Sequence, residues 1–203
     1  MKPRTWFLPE MPDVHGLLRD QVAVTREGMA AFEAWTQGDA AAADRVRDAE
    51  HRGDVAKRQL LSALRGAFVT PLEPEDLFSL SRGVDWILNY SRDLVREAEV
   101  MGSPPSSGIA AMASLFSLAV GDIDDAIASL RSDPDAATEA ADAAIKRARE
   151  VEHVYYRGMA DLLELEPRQD RIAQRELYRR GARIGETVID VAERVVYAVV
   201  KQS

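Results

Sequence analysis

The placement of prolines and glycines constrains the fold of this 203-residue chain more than any other feature. They fall mainly in a few short stretches: Pro3 to Pro12, Thr70 to Pro74, Gly102 to Gly108, Pro134 and Pro167. Such residues end helices, and the sequence between them is rich in helix formers. Apolar residues recur there at spacings of three and four, and no segment alternates like a strand. The pattern predicts an all-α fold.

Six long helices are predicted between these breaks. They run over Asp13 to Gln37, Asp39 to Ala67, Pro74 to Met101, Gly108 to Arg131, Pro134 to Leu165 and Pro167 to Lys201. Asp13, Asp39 and Asp133 are expected N-caps, because a short acidic side chain accepts hydrogen bonds from first-turn amides. Pro74 and Pro134 suit a first helical turn.

The two halves of the chain are similar to each other. The pair Glu50-His51 recurs as Glu152-His153 at an offset of 102 residues, and Asp85 has its counterpart in Glu186 at an offset of 101. A nearly constant offset indicates an internal duplication. We expect two three-helix halves, residues 1–101 and 102–203, within one compact domain.

Composition excludes several classes of function. With 34 acidic and 26 basic residues, the net charge of −8 disfavours nucleic acid and anionic membrane surfaces as partners. The absence of cysteine excludes disulfides and thiol nucleophiles and suits a reducing compartment. No apolar run approaches the roughly 20 residues of a membrane span, and the N-terminus lacks a signal-peptide pattern. We expect a cytoplasmic protein that is peripheral to a membrane at most.

Four helix positions place a polar residue four positions after an acid. The pairs are Glu50 and Asp54, Asp85 and Asn89, Glu152 and Tyr156, and Glu186 and Asp190. Residues at this spacing share one helix face, and two such helices side by side can offer three or four oxygens to a hard cation. The same spacing is common on solvated helix faces, so burial decides between the two readings.

The apolar stripes place these pairs differently. Glu50 shares a stripe with Val46, Gly53 and Lys57, so we expect it among core positions with Asp54 at the margin. Glu152 is expected to be partly buried on the fifth helix. Asp85 and Asn89 lie beside the apolar stripe of the third helix. Glu186 and Asp190 lie at or beyond the edge of the apolar stripe of the sixth helix.

One stretch of the chain resembles a known family. It comprises Phe68-Val69-Thr70-Pro71, Glu75-Asp76-Leu77 and Gly83-Val84-Asp85. This pattern is similar to that of the PhoU-like phosphate-transport accessory proteins, and the resemblance covers nearly the whole chain. It implies two pseudo-symmetric three-helix bundles and a non-enzymatic regulator of inorganic phosphate transport. The implied partner is a Pit-type phosphate transporter or an associated signalling protein, and a homo-oligomer stays open.

The resemblance also implies metal binding by iron, zinc or manganese. By position, the implied ligands are Glu50, Asp54, Asp85, Asn89, Glu152, Glu186 and Asp190. Asn89 and Tyr156 stand where the family has a second acid. An asparagine can ligate through its carbonyl oxygen, whereas a neutral tyrosine is a poor ligand for a hard cation. Metal is therefore expected at Glu50, Asp54 and Asp85 more than around Tyr156.

A ferritin-like di-metal oxidase is the enzymatic alternative. Glu150-x-x-His153 and Asp48-x-x-His51 imitate the acid-x-x-His motif of that class. At 100° per residue, all four side chains fall outside the apolar arcs of their helices, so we expect them to face water.

A metal-free helical adaptor is the remaining alternative. Trp6-Phe7-Leu8 and Trp86 are the aromatic residues best suited to anchor a partner. Nucleophilic catalysis has no support, since no Gly-x-Ser-x-Gly elbow is present. The glycine patterns of nucleotide phosphate loops are absent as well.

Overall fold

The computed structural model describes residues 12–67, 69–70 and 72–202. Its elements are α1 (Val14–Thr36), α2 (Ala42–Gly66), α3 (Pro74–Met101), α4 (Ser107–Ser129), α5 (Pro134–Asp161), a 3₁₀ turn (Leu162–Glu164) and α6 (Arg168–Gln202). The described residues contain no strand, so the all-α prediction is confirmed. Phe68 and Pro71 of the turn motif, and the segment Trp6-Phe7-Leu8, lie outside the described residues.

The helices form two pseudo-symmetric three-helix bundles, as predicted. In the first bundle α1, α2 and α3 pack on one another, and α4, α5 and α6 do the same in the second. The bundles join where α3 packs along α6 and α1 along α4. A single hydrophobic core runs through both bundles and includes the fully buried rings of Phe32 and Phe116.

Two of the predicted helix caps are confirmed. The Asp13 side chain accepts a hydrogen bond from the Gly16 backbone N–H at 2.9 Å, and that of Asp133 accepts one from Ala136 at 3.0 Å. Each bond satisfies a first-turn amide that has no partner within the helix.

We expect Asp133→Ala to lower the free energy of unfolding by about 1 kcal/mol, because the Ala136 amide loses its acceptor. Urea denaturation measures the change. Asp135→Ala is the control: Asp135 lies in the same first turn but caps no amide, so its loss should cost about 0.3 kcal/mol. Equal losses in the two variants would show that the cap does not stabilise α5.

The predicted start of α2 at Asp39 is wrong. The helix begins at Ala42, and the Asp39 carboxylate instead accepts from the Ala41 backbone N–H at 3.1 Å and pairs with Arg45. Asp39 therefore stabilises the turn that precedes the helix. The fifth helix is also shorter than predicted, because it tightens into the 3₁₀ turn after Asp161.

The fourth helix is more apolar than the sequence analysis recognised. By length and composition alone α4 could cross a membrane. In the bundle it packs against α1, α5 and α6, and its residues Ile109, Phe116 and Ile123 are buried in the shared core. Its apolar character thus fits a core helix.

Candidate functional site

The first-half acid group consists of Glu50 and Asp54 on α2 and Asp85 and Asn89 on α3. The two helices pack side by side, and the carboxylates are close enough to influence one another's ionisation. Burial raises the pKa of Glu50, the Arg92 guanidinium lowers it, and the charges of Asp54 and Asp85 raise it further. The structure thus brings together the residues that the sequence analysis grouped in the first half.

Asp85 is the most buried member of this group, with 5% of its surface exposed. Its Oδ2 accepts hydrogen bonds from the Lys57 Nζ at 2.5 Å and from the Asn89 Nδ2 at 3.1 Å. Burial raises the pKa of Asp85, whereas the Lys57 ammonium lowers it. Asn89 also donates to the Asp85 backbone carbonyl at 2.9 Å, so its amide faces the group as a donor.

Each carboxylate of the first-half acid group pairs with a cation, and one of these cations is shared with Asp93. Glu50 pairs with Arg92, and Asp85 pairs with Lys57. Asp54 pairs with Arg58 at 3.4 Å on the same helix. Arg92 also pairs with Asp93 at 2.8 Å, so three positive charges face four negative ones.

The second-half acid group consists of Glu152 and Tyr156 on α5 and Glu186 and Asp190 on α6. All four are exposed, so the expected partial burial of Glu152 is wrong. The reason is that α5 turns Val151, Val154 and Gly158 inward, which places Glu152 on the outer face. The Tyr156 ring is 67% exposed and lies edge-on against Tyr155.

Neither group presents a ready metal site. Within the part of the chain that the structure describes, no three His, Asp or Glu side chains come together in a way that could hold one metal ion. Metal binding at the residues named above stays a prediction. His51 and His153 are exposed, as the angular argument predicted, which disfavours the ferritin-like alternative.

A groove lined by several aromatic residues runs between α3, α5 and α6. We call it the aromatic groove; it has a volume of about 690 Å³ and continues along α3 and α6 into a shallower pocket of about 470 Å³. The second-half acid group contributes to its walls. Its main lining residues are Trp86, Tyr90, Glu152, Tyr155, Tyr156, Arg179, Arg183 and Glu186.

Arginines lie over aromatic rings in and beside this groove. Trp86 is 44% exposed, and its ring stacks on that of Tyr90, with ring centroids 5.1 Å apart. Arg183 lies over Tyr90 at 5.2 Å, and Arg82 lies over Phe78 at 5.8 Å. Among the described residues, neither arginine lies within ion-pair distance of a carboxylate, although Tyr90 and the charge of Glu186 raise the pKa of Arg183. Tryptophan, tyrosine and arginine are the residues most enriched at the energetic centres of protein interfaces.

The sequence analysis singled out Trp86 but missed the arginines. Trp86 and Tyr90 stand four residues apart on α3, and Arg179 and Arg183 stand four apart on α6. Each spacing places two side chains on one helix face. That these two faces meet depends on the packing of α3 along α6, which periodicity within either helix does not show.

Comparison with known proteins gives matches in structure alone. No family model matches the sequence, and no curated protein matches it. A PhoU-like protein from Shewanella oneidensis is 15% identical, with a TM-score of 0.74, and the match covers 93% of this chain and all of that one.

Two further solved structures have the same fold. A PhoU-like phosphate regulatory protein from Shewanella oneidensis is 16% identical over 93% of this chain and all of that one, with a TM-score of 0.68. The phosphate transport system regulatory protein PhoU from Streptococcus pneumoniae is 12% identical over 96% of both chains, with a TM-score of 0.75. The chain therefore has the PhoU-like fold over nearly its full length.

Proposed function

We propose that this chain, which has the PhoU-like fold, is a non-enzymatic regulator of inorganic phosphate transport. Three solved structures with this fold support the proposal, and their names describe PhoU-like or phosphate regulatory proteins. The residues Glu75-Asp76-Leu77 and Gly83-Val84-Asp85 add the sequence resemblance. A fold does not by itself determine function, which depends on the residues of a binding or catalytic site.

The observation that carries the proposal is the half-exposed stack of Trp86 on Tyr90, with Arg183 over the Tyr90 ring and Arg82 lining the adjoining pocket. Burying Trp86 under a partner removes apolar surface from water, and Arg82 and Arg183 can each receive a carboxylate. The occupant that fits is a protein segment with an apolar side chain flanked by acidic residues. We assign that segment to a cytoplasmic part of a Pit-type transporter or of its signalling partner.

The test is phosphate uptake in cells that lack the gene. We expect deletion to change the initial rate of phosphate uptake, and expression of the wild-type chain to restore it. Uptake of an unrelated anion such as sulfate is the control for general effects on the membrane potential. Unchanged phosphate uptake in the deletion strain, at both low and high external phosphate, would contradict the proposal.

A further inference from the structure

Lys57 lies on the face of α2 that carries the first-half acid group. Its ammonium is the closest cation to Asp85, at 2.5 Å, and only about a quarter of its side chain is exposed. A carboxylate as buried as that of Asp85 needs a positive charge or several donors beside it. Lys57 supplies the positive charge, and Asn89 supplies a further hydrogen-bond donor.

The resemblance to the PhoU-like proteins assigns a metal ion to this place, and the residues do not fit one as they stand. An ion bound by Asp85 Oδ2 would have to displace the Lys57 ammonium, and an ion bound by Oδ1 would lie beside that positive charge. Asn89 would have to turn its amide, because it presents the nitrogen and not the carbonyl oxygen to Asp85. The Glu50 carboxylate is already paired with Arg92.

The charges around the first-half acid group also disfavour a metal ion. A divalent ion added to the group would meet four carboxylates, including Asp93, and Lys57, Arg58 and Arg92 already neutralise three of their four charges. The attraction that normally draws a metal to a carboxylate cluster is then largely cancelled. Removing Lys57, the cation in contact with the buried Asp85, would restore that attraction, whereas removing the exposed Arg58 would not.

We propose that Lys57 is the resident cation of the first-half acid group and takes the place of a metal ion. The group then holds α2 to α3 by an internal ion pair, and the bundle does not depend on metal supply. This holds whether or not the chain regulates phosphate transport.

The proposal predicts that Lys57→Ala creates a metal site. Isothermal titration with Mn²⁺ should give about one ion per chain, bound at least tenfold more tightly than by the wild type, because Asp85 is left without its cation. The melting temperature of this variant should rise with added Mn²⁺, and that of the wild type should not. Adding Asp85→Ala to the variant should abolish the binding.

Arg58→Ala is the matched control. Arg58 follows Lys57 directly and pairs with Asp54, but it is exposed and leaves the Lys57 to Asp85 contact intact. It should bind Mn²⁺ no better than the wild type. Lys57→Arg keeps the positive charge and should show no gain in Mn²⁺ affinity either. An equal gain in Arg58→Ala would show that net charge alone attracts the ion, which would overturn the assignment to Lys57.

Elemental analysis of the purified wild type tests the proposal without any change at Lys57. We expect less than stoichiometric iron, zinc or manganese. Stoichiometric metal that is lost in Glu50→Ala or Asp54→Ala would overturn the proposal and support the metal ligands that the resemblance implies. A folded Lys57→Ala that binds no Mn²⁺ would overturn it as well.

Discussion

Replacing Gly28 by valine is expected to lower the free energy of unfolding by about 3 kcal/mol, because it overpacks the point where α1, α2 and α3 meet. A Cβ atom at Gly28 would collide with the Leu88 side chain of α3 and approach the Ala49 Cβ of α2 to 2.9 Å. The Ala49 methyl cannot move without its helix. The helices would therefore have to separate beside the first-half acid group.

Gly121→Val is the matched control for this prediction. Gly121 lies within α4 and has no atom within 4 Å of the position that its Cβ would take. We expect a change within about 0.5 kcal/mol, since valine is a slightly better helix former than glycine. Urea denaturation of both variants decides the matter. Similar losses at both positions would mean that the close approach at Gly28 does not determine the packing.

Replacing Asp76 by alanine is the second change with a large expected effect. Asp76 is 2% exposed at the start of α3 and faces two cations near the end of α6. Its Oδ2 accepts from the Lys201 Nζ at 3.2 Å. The Arg194 Nε lies 3.1 Å from its Oδ1 as an ion pair whose geometry does not make a hydrogen bond. Removing the carboxylate leaves both cations without this partner, which we expect to cost about 3 kcal/mol.

Glu75→Ala provides the control for Asp76. Glu75 lies 3.8 Å from the same guanidinium, but its side chain is 80% exposed. Exposed ion pairs contribute little, so its loss should cost at most about 0.5 kcal/mol. Thermal and urea unfolding of the two variants measure the difference. If Asp76→Ala were no less stable than Glu75→Ala, the buried ion pair would not hold α3 to α6.

The fold could be predicted from the sequence because its determinants are local. Pro74, Pro134 and the stretch from Gly102 to Gly108 interrupt the helices, and Asp13 and Asp133 cap them. The spacing of apolar residues at three and four positions then indicated which face of each helix is buried. The start at Asp39 failed for a local reason as well, since an aspartate can stabilise a turn as well as a helix end.

The site was harder to predict, because its contacts join residues that are far apart in the chain. Lys57 could be placed on the same stripe as Glu50, but its partner Asp85 lies 28 residues away on another helix. Whether an acid pair faces a metal or a lysine depends on which side chain the neighbouring helix presents. The exposure of Glu152 likewise follows from the rotation of α5 against α6, which a broad apolar arc does not fix.

The acid groups of the two halves differ in their surroundings. In the first half, Lys57 pairs with Asp85 and Arg92 pairs with Glu50. In the second half, the equivalent acids Glu152 and Glu186 line the exposed aromatic groove. We propose that the first group stabilises the packing of α2 on α3, and that the second borders the groove in which Trp86, Arg82 and Arg183 would bind a partner.

Phosphate uptake by a groove variant tests the central claim most directly, namely that the chain regulates phosphate transport through the aromatic groove. The deletion strain would express Arg82→Glu with Arg183→Glu, or the control Arg149→Glu, an exposed α5 residue outside the groove. At equal protein levels, we predict that the double variant fails to restore the wild-type uptake rate and that the control restores it. Full restoration by the double variant would contradict the account.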